Sequence, residues 1–383
     1  MTGGRERGGE RLPLRAAAGV ALAYASLAFI DAIGVLQERL RLEGVASSLV
    51  FLWFALVPLP AGALCRRLGA GRVAVSALLA MLPALALLFA GGGFVPAAAG
   101  LALAGVSNVV LQVALPVRVA EAFGVARQAS VMTLGLFVKM LVAGALPLAL
   151  AFFAAAGDWR LFFVPVGVVC ASAAAFLRGG VADAAARGGA SFRAVWRSLR
   201  DAPTAFCAAA FAAGVVADVA FNVSVPAAVR DRFGMGEAAA GAVYALLFGV
   251  KLPAVLAGAW LFAKGRADRL FVPSTLLSFV GSLAMLLAGG FAAYLAGVAL
   301  FAAGCANVYG FVFGIASPRH GAGGAPAVAA LLAMSVSAGA AASPLVAAVR
   351  PLGPLGPGSL VSAAALALLA FAQAAVRAGK GGA

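Results

Sequence analysis

Apolar residues fill this chain in continuous runs of roughly 20, the length an α-helix needs to cross the hydrocarbon core of a bilayer. Strands of a membrane barrel would instead alternate polar and apolar positions, and these runs do not alternate. Twelve runs follow one another, at 16–37, 46–64, 73–91, 95–117, 129–153, 159–177, 204–226, 238–263, 270–289, 292–315, 326–349 and 358–376. The pattern predicts an all-α integral membrane protein. The longest polar interruption, 178–203, leaves six runs on either side.

Inside that interruption Phe192, Trp196 and Leu199 recur at helical spacing, with Arg193, Arg197 and Arg200 one position later. This spacing predicts a short amphipathic helix lying on the membrane face and tethering the two sets of spans. The sets also echo each other. "AGVSNVV" (104–110) returns as "AGCANVY" (303–309), "GALPL" (144–148) as "AASPL" (341–345), and "PAGAL" (60–64) as "LAGAW" (256–260), all at similar offsets. Parallel six-span repeats about an axis along the membrane normal are a plan used by secondary transporters. The expected organisation is a tail (1–15), a six-helix half (16–177), a connector (178–203), a second six-helix half (204–376) and a tail (377–383).

Composition agrees. Of 383 residues, 64% are hydrophobic and 11% charged, too few polar groups to cover a soluble exterior. A net charge of +15 would suggest nucleic acid in a soluble chain, but its distribution gives another reason. With the first terminus inside, the outer loops carry six arginines (Arg39, Arg41, Arg160, Arg230, Arg232, Arg350) against five acids. The excess lies on the inner segments, including Arg66, Arg67 and Arg72. By the positive-inside rule both termini are cytoplasmic. The first run is too long for a secretory leader, carries Asp31 and precedes eleven more, so it reads as an uncleaved helix.

Several activities find no support in the residues. Cys65, Cys170, Cys207 and Cys305 are scattered without a CxxC pair, so neither a disulfide framework nor a metal site is expected. The only histidine, His320, sits in "SPRHGAGG" without a nucleophile pattern, and "AGGG" (90–93) is a turn between spans rather than a phosphate-binding loop. No enzyme, cofactor or nucleotide-driven pump is expected.

Ionisable residues inside spans are functional candidates, because each is expensive to insert. There are four: Asp31, Lys139, Asp218 and Lys251. Each half holds one acid and one lysine, so charge can cancel half by half. Only four lysines stand against 24 arginines, yet two of the four are in mid-span. Lysine is the cation that can release a proton or a partner, whereas arginine cannot deprotonate. Amides join the acids at helical spacing: Asn108 with Gln112, and Asp218 with Asn222. Asn307 repeats Asn108 in the second half. Tyr244, Trp260 and Tyr309 are rings that can stack on a sugar or simply pack.

These stretches carry a resemblance. "LAFIDAIGV" (27–35), "FLWFALVPLPAG" (51–62), "LAGVSNVVLQVALPV" (103–117), "TLGLFVKMLVAGALP" (133–147), "DVAFN" (218–222), "NVYGFVF" (307–313) and "MSVSAG" (334–339) are similar to signatures of the major facilitator superfamily, in its fucose-permease-like branch of sugar:proton symporters. The resemblance covers essentially the whole chain. It implies twelve helices in two pseudo-symmetric bundles, with spans 1, 4, 7 and 10 lining a central cavity. It implies Asp31, Lys139, Asp218 and Lys251 as coupling or ion-pair residues, and Asn108, Gln112, Asn222, Asn307 and Tyr309 as substrate contacts. The loop with Arg66, Arg67 and Arg72 resembles the family's conformational loop, but Arg66 stands where an acid belongs. Gln112 stands where fucose permeases place a carboxylate. The expected activity is secondary transport of a small polar solute, a sugar first, with the proton as coupling ion, by a monomer in the lipid bilayer. Export of an organic anion and a non-transporting receptor or scaffold stay open as alternatives.

Overall fold

A computed structural model describes residues 14–32, 36, 39–42, 46–91, 93–178, 191–264, 267–353 and 355–380. Residues 1–13 of the first tail, 179–190 of the connector and the last three residues lie outside the described set. The described chain is helical throughout, without strands.

The first half comprises α1 (Leu14–Leu27) with a 3-10 turn at Ala28–Ala32, then α2 (Ala46–Leu56), α3 (Pro58–Leu68), α4 (Ala70–Ala90), α5 (Phe94–Phe123), α6 (Val125–Ala155) and α7 (Phe163–Arg178). The connector helix is α8 (Phe192–Leu199). The second half comprises α9 (Ala202–Asp231), α10 (Glu237–Ala263), α11 (Ala267–Leu287), α12 (Phe291–Cys305), α13 (Val308–Val336), α14 (Gly339–Val349) and α15 (Leu355–Lys380).

Ten helical segments are long and apolar enough to span a membrane, and α2 and α3 together make an eleventh, bent by 59°. Pro58 opens α3 and cannot continue the ladder, which accounts for the bend. The remaining span is shorter than the sequence pattern indicates. The apolar helix Ala327–Ala342 belongs to an expected run of 326–349. The hydroxyl of Ser335 donates to Leu331 O at 3.1 Å and that of Ser337 to Met334 O at 2.6 Å, and the backbone tightens into i→i+3 bonds over 337–341. Serine side chains that bond back to the backbone in this way weaken the regular ladder. The run at 292–315 lies within one spanning segment, Phe291–Gly321, with a turn at Ala306–Asn307 between α12 and α13. At its far end Gly321 adopts φ +60 and turns the chain into the next span.

Packing follows the two halves. In the first, α1 lies against α6 and α7, α4 against α5 and α7, and α2 and α3 against α5. In the second, α9 packs on α13, α14 and α15, and α11 on α12 and α15. The halves meet through α6 with α10, and through α13 with α3, α5 and α6. The Ser130 hydroxyl donates across this seam to Ala259 O at 3.0 Å. Large apolar side chains stay exposed on the outer surface, among them Leu148, Phe152, Val168 and Leu287, as expected of a lipid-facing exterior. In α8 the rings of Phe192 and Trp196 stack 6.4 Å apart and remain exposed, while Val195 turns inward.

Candidate functional site

Between the halves lies a cavity of about 200 Å³, lined on one side by Tyr24, Gln112 and Lys139 and on the other by Asp218, Lys251 and Tyr309. Apolar residues such as Leu27, Met140 and Phe211 complete the wall. Both mid-span lysines therefore face one space.

Each lysine has its own acid. Lys139 Nζ lies 3.2 Å from Asp31 Oδ1 and 3.1 Å from Oδ2. Asp31 sits on the 3-10 turn that ends α1, where a loosened ladder lets a side chain approach the α6 surface. The carboxylate is 38% exposed and the lysine 22%, so the pair is only partly buried. In the second half Lys251 Nζ lies 2.7 Å from Asp218 Oδ1. Asn222 Nδ2 reaches Asp218 Oδ2 at 3.4 Å, and Cys305 Sγ stands 4.0 Å from Oδ1. Lys251 is 6% exposed and buried in α10, so this cation does not reach the membrane surface.

The amides sort differently from the sequence expectation of a shared cavity lining. Gln112 lines the cavity and donates to Asn108 Oδ1 at 3.0 Å, with Asn108 fully buried behind it. Asn222 supports Asp218. Asn307 does not line the cavity: it donates to Ala254 O at 2.8 Å, and a Cβ on Gly258 would overlap its amide. That bond ties α13 to α10 at the helix break, where the backbone turn redirects the side chain. Tyr309 lines the cavity, its ring 5.7 Å from Phe211 and 4.9 Å from Phe313. Trp260 faces outward, 59% exposed, with Lys264 Nζ 3.5 Å from its ring centroid. The side chain of Tyr244 lies outside the described set.

Two groups of residues escaped sequence reasoning. Tyr24 is 1% exposed, and its hydroxyl meets that of Tyr309 across the cavity. Gly135 of α6 makes room for its ring, since a Cβ there would overlap it. A tyrosine in a first apolar run carries no local signal of this. The second group lies at the end of the bundle that carries the chain termini. Asp201 caps α9 through Thr204 N (3.2 Å), accepts from the Thr204 hydroxyl (2.6 Å), and binds Arg319 through Nε (3.0 Å) and Nη2 (3.0 Å). His320 Nε2 stands 3.0 Å from the Thr204 hydroxyl, whose proton is committed to Asp201. These partners are more than a hundred residues apart in the chain, so no spacing betrays them.

Burial works to raise the Asp201 carboxyl, but hydrogen bonds from Arg319 and Thr204 more than offset it and hold the group below its usual 3.8. A lowered carboxylate stabilises the fold above its unfolded value and loses that contribution as pH falls through the folded one. The clasp should therefore be constant from neutral pH down to about 4 and fail only below that. Asp201→Ala removes the cap and the arginine partner together, an expected loss of about 1–2 kcal/mol, read as a lowered thermal midpoint at pH 7. An unchanged midpoint would show the clasp to be idle.

On the same face Arg66, Arg67 and Arg72 are exposed. Glu121 of α5 lies beside Cys65 and 3.7 Å from Arg118, which is itself buried.

No protein-family model and no curated protein sequence matches the chain. Solved structures do. An alanine variant of the E. coli fucose:proton symporter FucP superposes with TM-score 0.79 at 15% identity, over 94% of this chain and 98% of that one. The human organic anion transporter MFSD10 (TETRAN) gives 0.77 at 14% identity, over 95% and 100%. A bacterial homologue of the iron transporter ferroportin, outward-facing, gives 0.74 at 13%, over 97% and 100%. The fold is that of major facilitator superfamily transporters, and the structures it resembles are transporters rather than enzymes.

Proposed function

We propose that this protein is a secondary active transporter that moves a small polar solute, a sugar in the first reading, across the bacterial inner membrane by alternating access coupled to protons. The observation that carries the reading is the Asp31–Lys139 ion pair, which sets a partly exposed carboxylate against a lysine of the cavity wall between two packed halves. A proton on Asp31 frees Lys139, and the freed ammonium changes what the cavity can bind. Gln112, Tyr309 and Tyr24 would meet the solute, Asn108 and Asn222 would orient the groups that do, and Asn307 would hold α13 on α10. Asp218 and Lys251 would form the second charge pair of the same cavity. The loop with Arg66, Arg67 and Arg72 would latch the cytoplasmic side, where the positive-inside rule puts both termini. The transporter would work as a monomer. Similarity to a fucose:proton symporter supports the solute class and the coupling ion.

One observation favours a second reading. Both lysines line the cavity, so an organic anion could replace a protonated aspartate as their partner. Proteoliposomes separate the two. With a weakly buffered exterior, neutral monosaccharides should each be tested for solute-dependent alkalinisation, and carboxylates likewise. Proton entry with a monosaccharide supports the first reading, and entry with carboxylates alone the second. No solute-dependent proton flux from either set would remove proton-coupled transport.

A further inference from the structure

Away from the central cavity, on the face opposite the chain termini, the first half holds a pocket of about 620 Å³ between its three loops. Arg39, Arg41 and Arg160 line it together with Trp159 and Phe94, and no acidic side chain lines it among the described residues. We infer that this pocket binds a phosphate anion, and that the source is an anionic phospholipid headgroup of the adjoining leaflet.

The second half supplies an internal control. Its corresponding loops enclose a smaller pocket of about 300 Å³, in which Arg232 is accompanied by Asp231. Arg232 donates to Met285 O at 3.0 Å and to Ala288 O, closing the exposed end of α11. In the first half Arg160 performs the same task on α4, donating to Gly91 O at 2.8 Å. The fold thus needs one arginine per half to satisfy carbonyls at a helix end. Arg39 and Arg41 are additional to that need, both are exposed, and among the described residues no acid lines the pocket beside them.

Two further features fit a ligand. Arg41 is the one non-glycine residue among those described with positive φ, at 55°. A long side chain held in that region is strained, and such strain recurs where a side chain must be aimed. Guanidinium groups present forked donors that match phosphate oxygens in pairs. The rim then selects the source. Phe94 is 60% exposed and Val95 beside it 74%, so lipid-facing apolar surface adjoins the cations directly. A headgroup would seat its phosphate on the arginines while its acyl chains run down α5.

The test uses the purified full-length protein in neutral detergent, with thermal unfolding as readout. The probes are phosphatidylglycerol, phosphatidylcholine and millimolar inorganic phosphate. Phosphatidylglycerol should raise the midpoint of the wild type by several degrees over phosphatidylcholine. Arg39→Gln/Arg41→Gln, which breaks no side-chain hydrogen bond or ion pair among the described residues, should lose most of that rise, whereas Arg377→Gln on the opposite face should keep it. A rise from inorganic phosphate that the double variant also loses supports the phosphate site and assigns it to a soluble ligand. Equal responses of wild type and double variant to every probe, or no response at all, would overturn the inference.

Discussion

An Asp31→Asn carrier is expected to lose accumulation driven by a proton gradient while keeping exchange of solute down or across its own gradient. Asparagine preserves the size of the side chain and one of the two oxygens that face Lys139 Nζ at 3.1 and 3.2 Å. It cannot take up or release a proton. In one-to-one symport a pH difference of one unit is worth about 1.4 kcal/mol, enough to hold about tenfold accumulation. The variant should fall from that level to roughly the external concentration. Counterflow, which needs only a loaded carrier to change face, should remain measurable. The fold should survive, because the lysine left behind is 22% exposed and water can solvate it. Retained tenfold accumulation by Asp31→Asn in proteoliposomes would remove this carboxylate from the coupling step.

The Asp31–Lys139 contact was legible because the membrane makes charge conspicuous. In an apolar run a single lysine is an outlier, and electroneutrality within each half pointed to its partner across 108 residues of sequence. The spans were legible for the same reason, since length and continuous apolarity suffice. Spacing also revealed which polar side chains share a helix face: Gln112 does bond Asn108, and Asn222 does reach Asp218. What spacing cannot supply is the rotation of a helix about its axis. Asn307 matches Asn108 in the repeat, yet the break after Cys305 turns it toward the Ala254 carbonyl rather than the cavity. The bend at Pro58 and the early end of the penultimate span arise from backbone bonding that overrides apolar length. The Asp201–Arg319 clasp joins the connector to α13, and only the folded chain brings them together.

In the second ion pair the two possible lesions should differ in cost. Lys251 is 6% exposed, whereas the Asp218 side chain is 39% exposed. Asp218→Asn removes the carboxylate charge that lies 2.7 Å from a buried ammonium. It also weakens the acceptor used by Asn222 and approached by Cys305. Breaking a buried pair by removing one partner costs about 3–5 kcal/mol, and this lesion should lie toward that range. Lys251→Met leaves instead a carboxylate that water reaches, and it fills the vacated volume with a flexible apolar chain. Its cost should be lower, about 1–2 kcal/mol. The double variant Asp218→Asn/Lys251→Met removes both charges, and apolar or neutral replacements of a buried pair are often close to neutral. Thermal midpoints should therefore rank with Asp218→Asn lowest, Lys251→Met intermediate and the double variant near the wild type. Additive losses in the double variant would mean that the 2.7 Å contact contributes nothing to the fold. Transport by a stable double variant then decides what the pair is for. Coupled uptake at the wild-type rate would leave it a structural clasp of α9 on α10. Uptake lost at full stability would mean that the carrier needs these charges to part and rejoin as the cavity changes face.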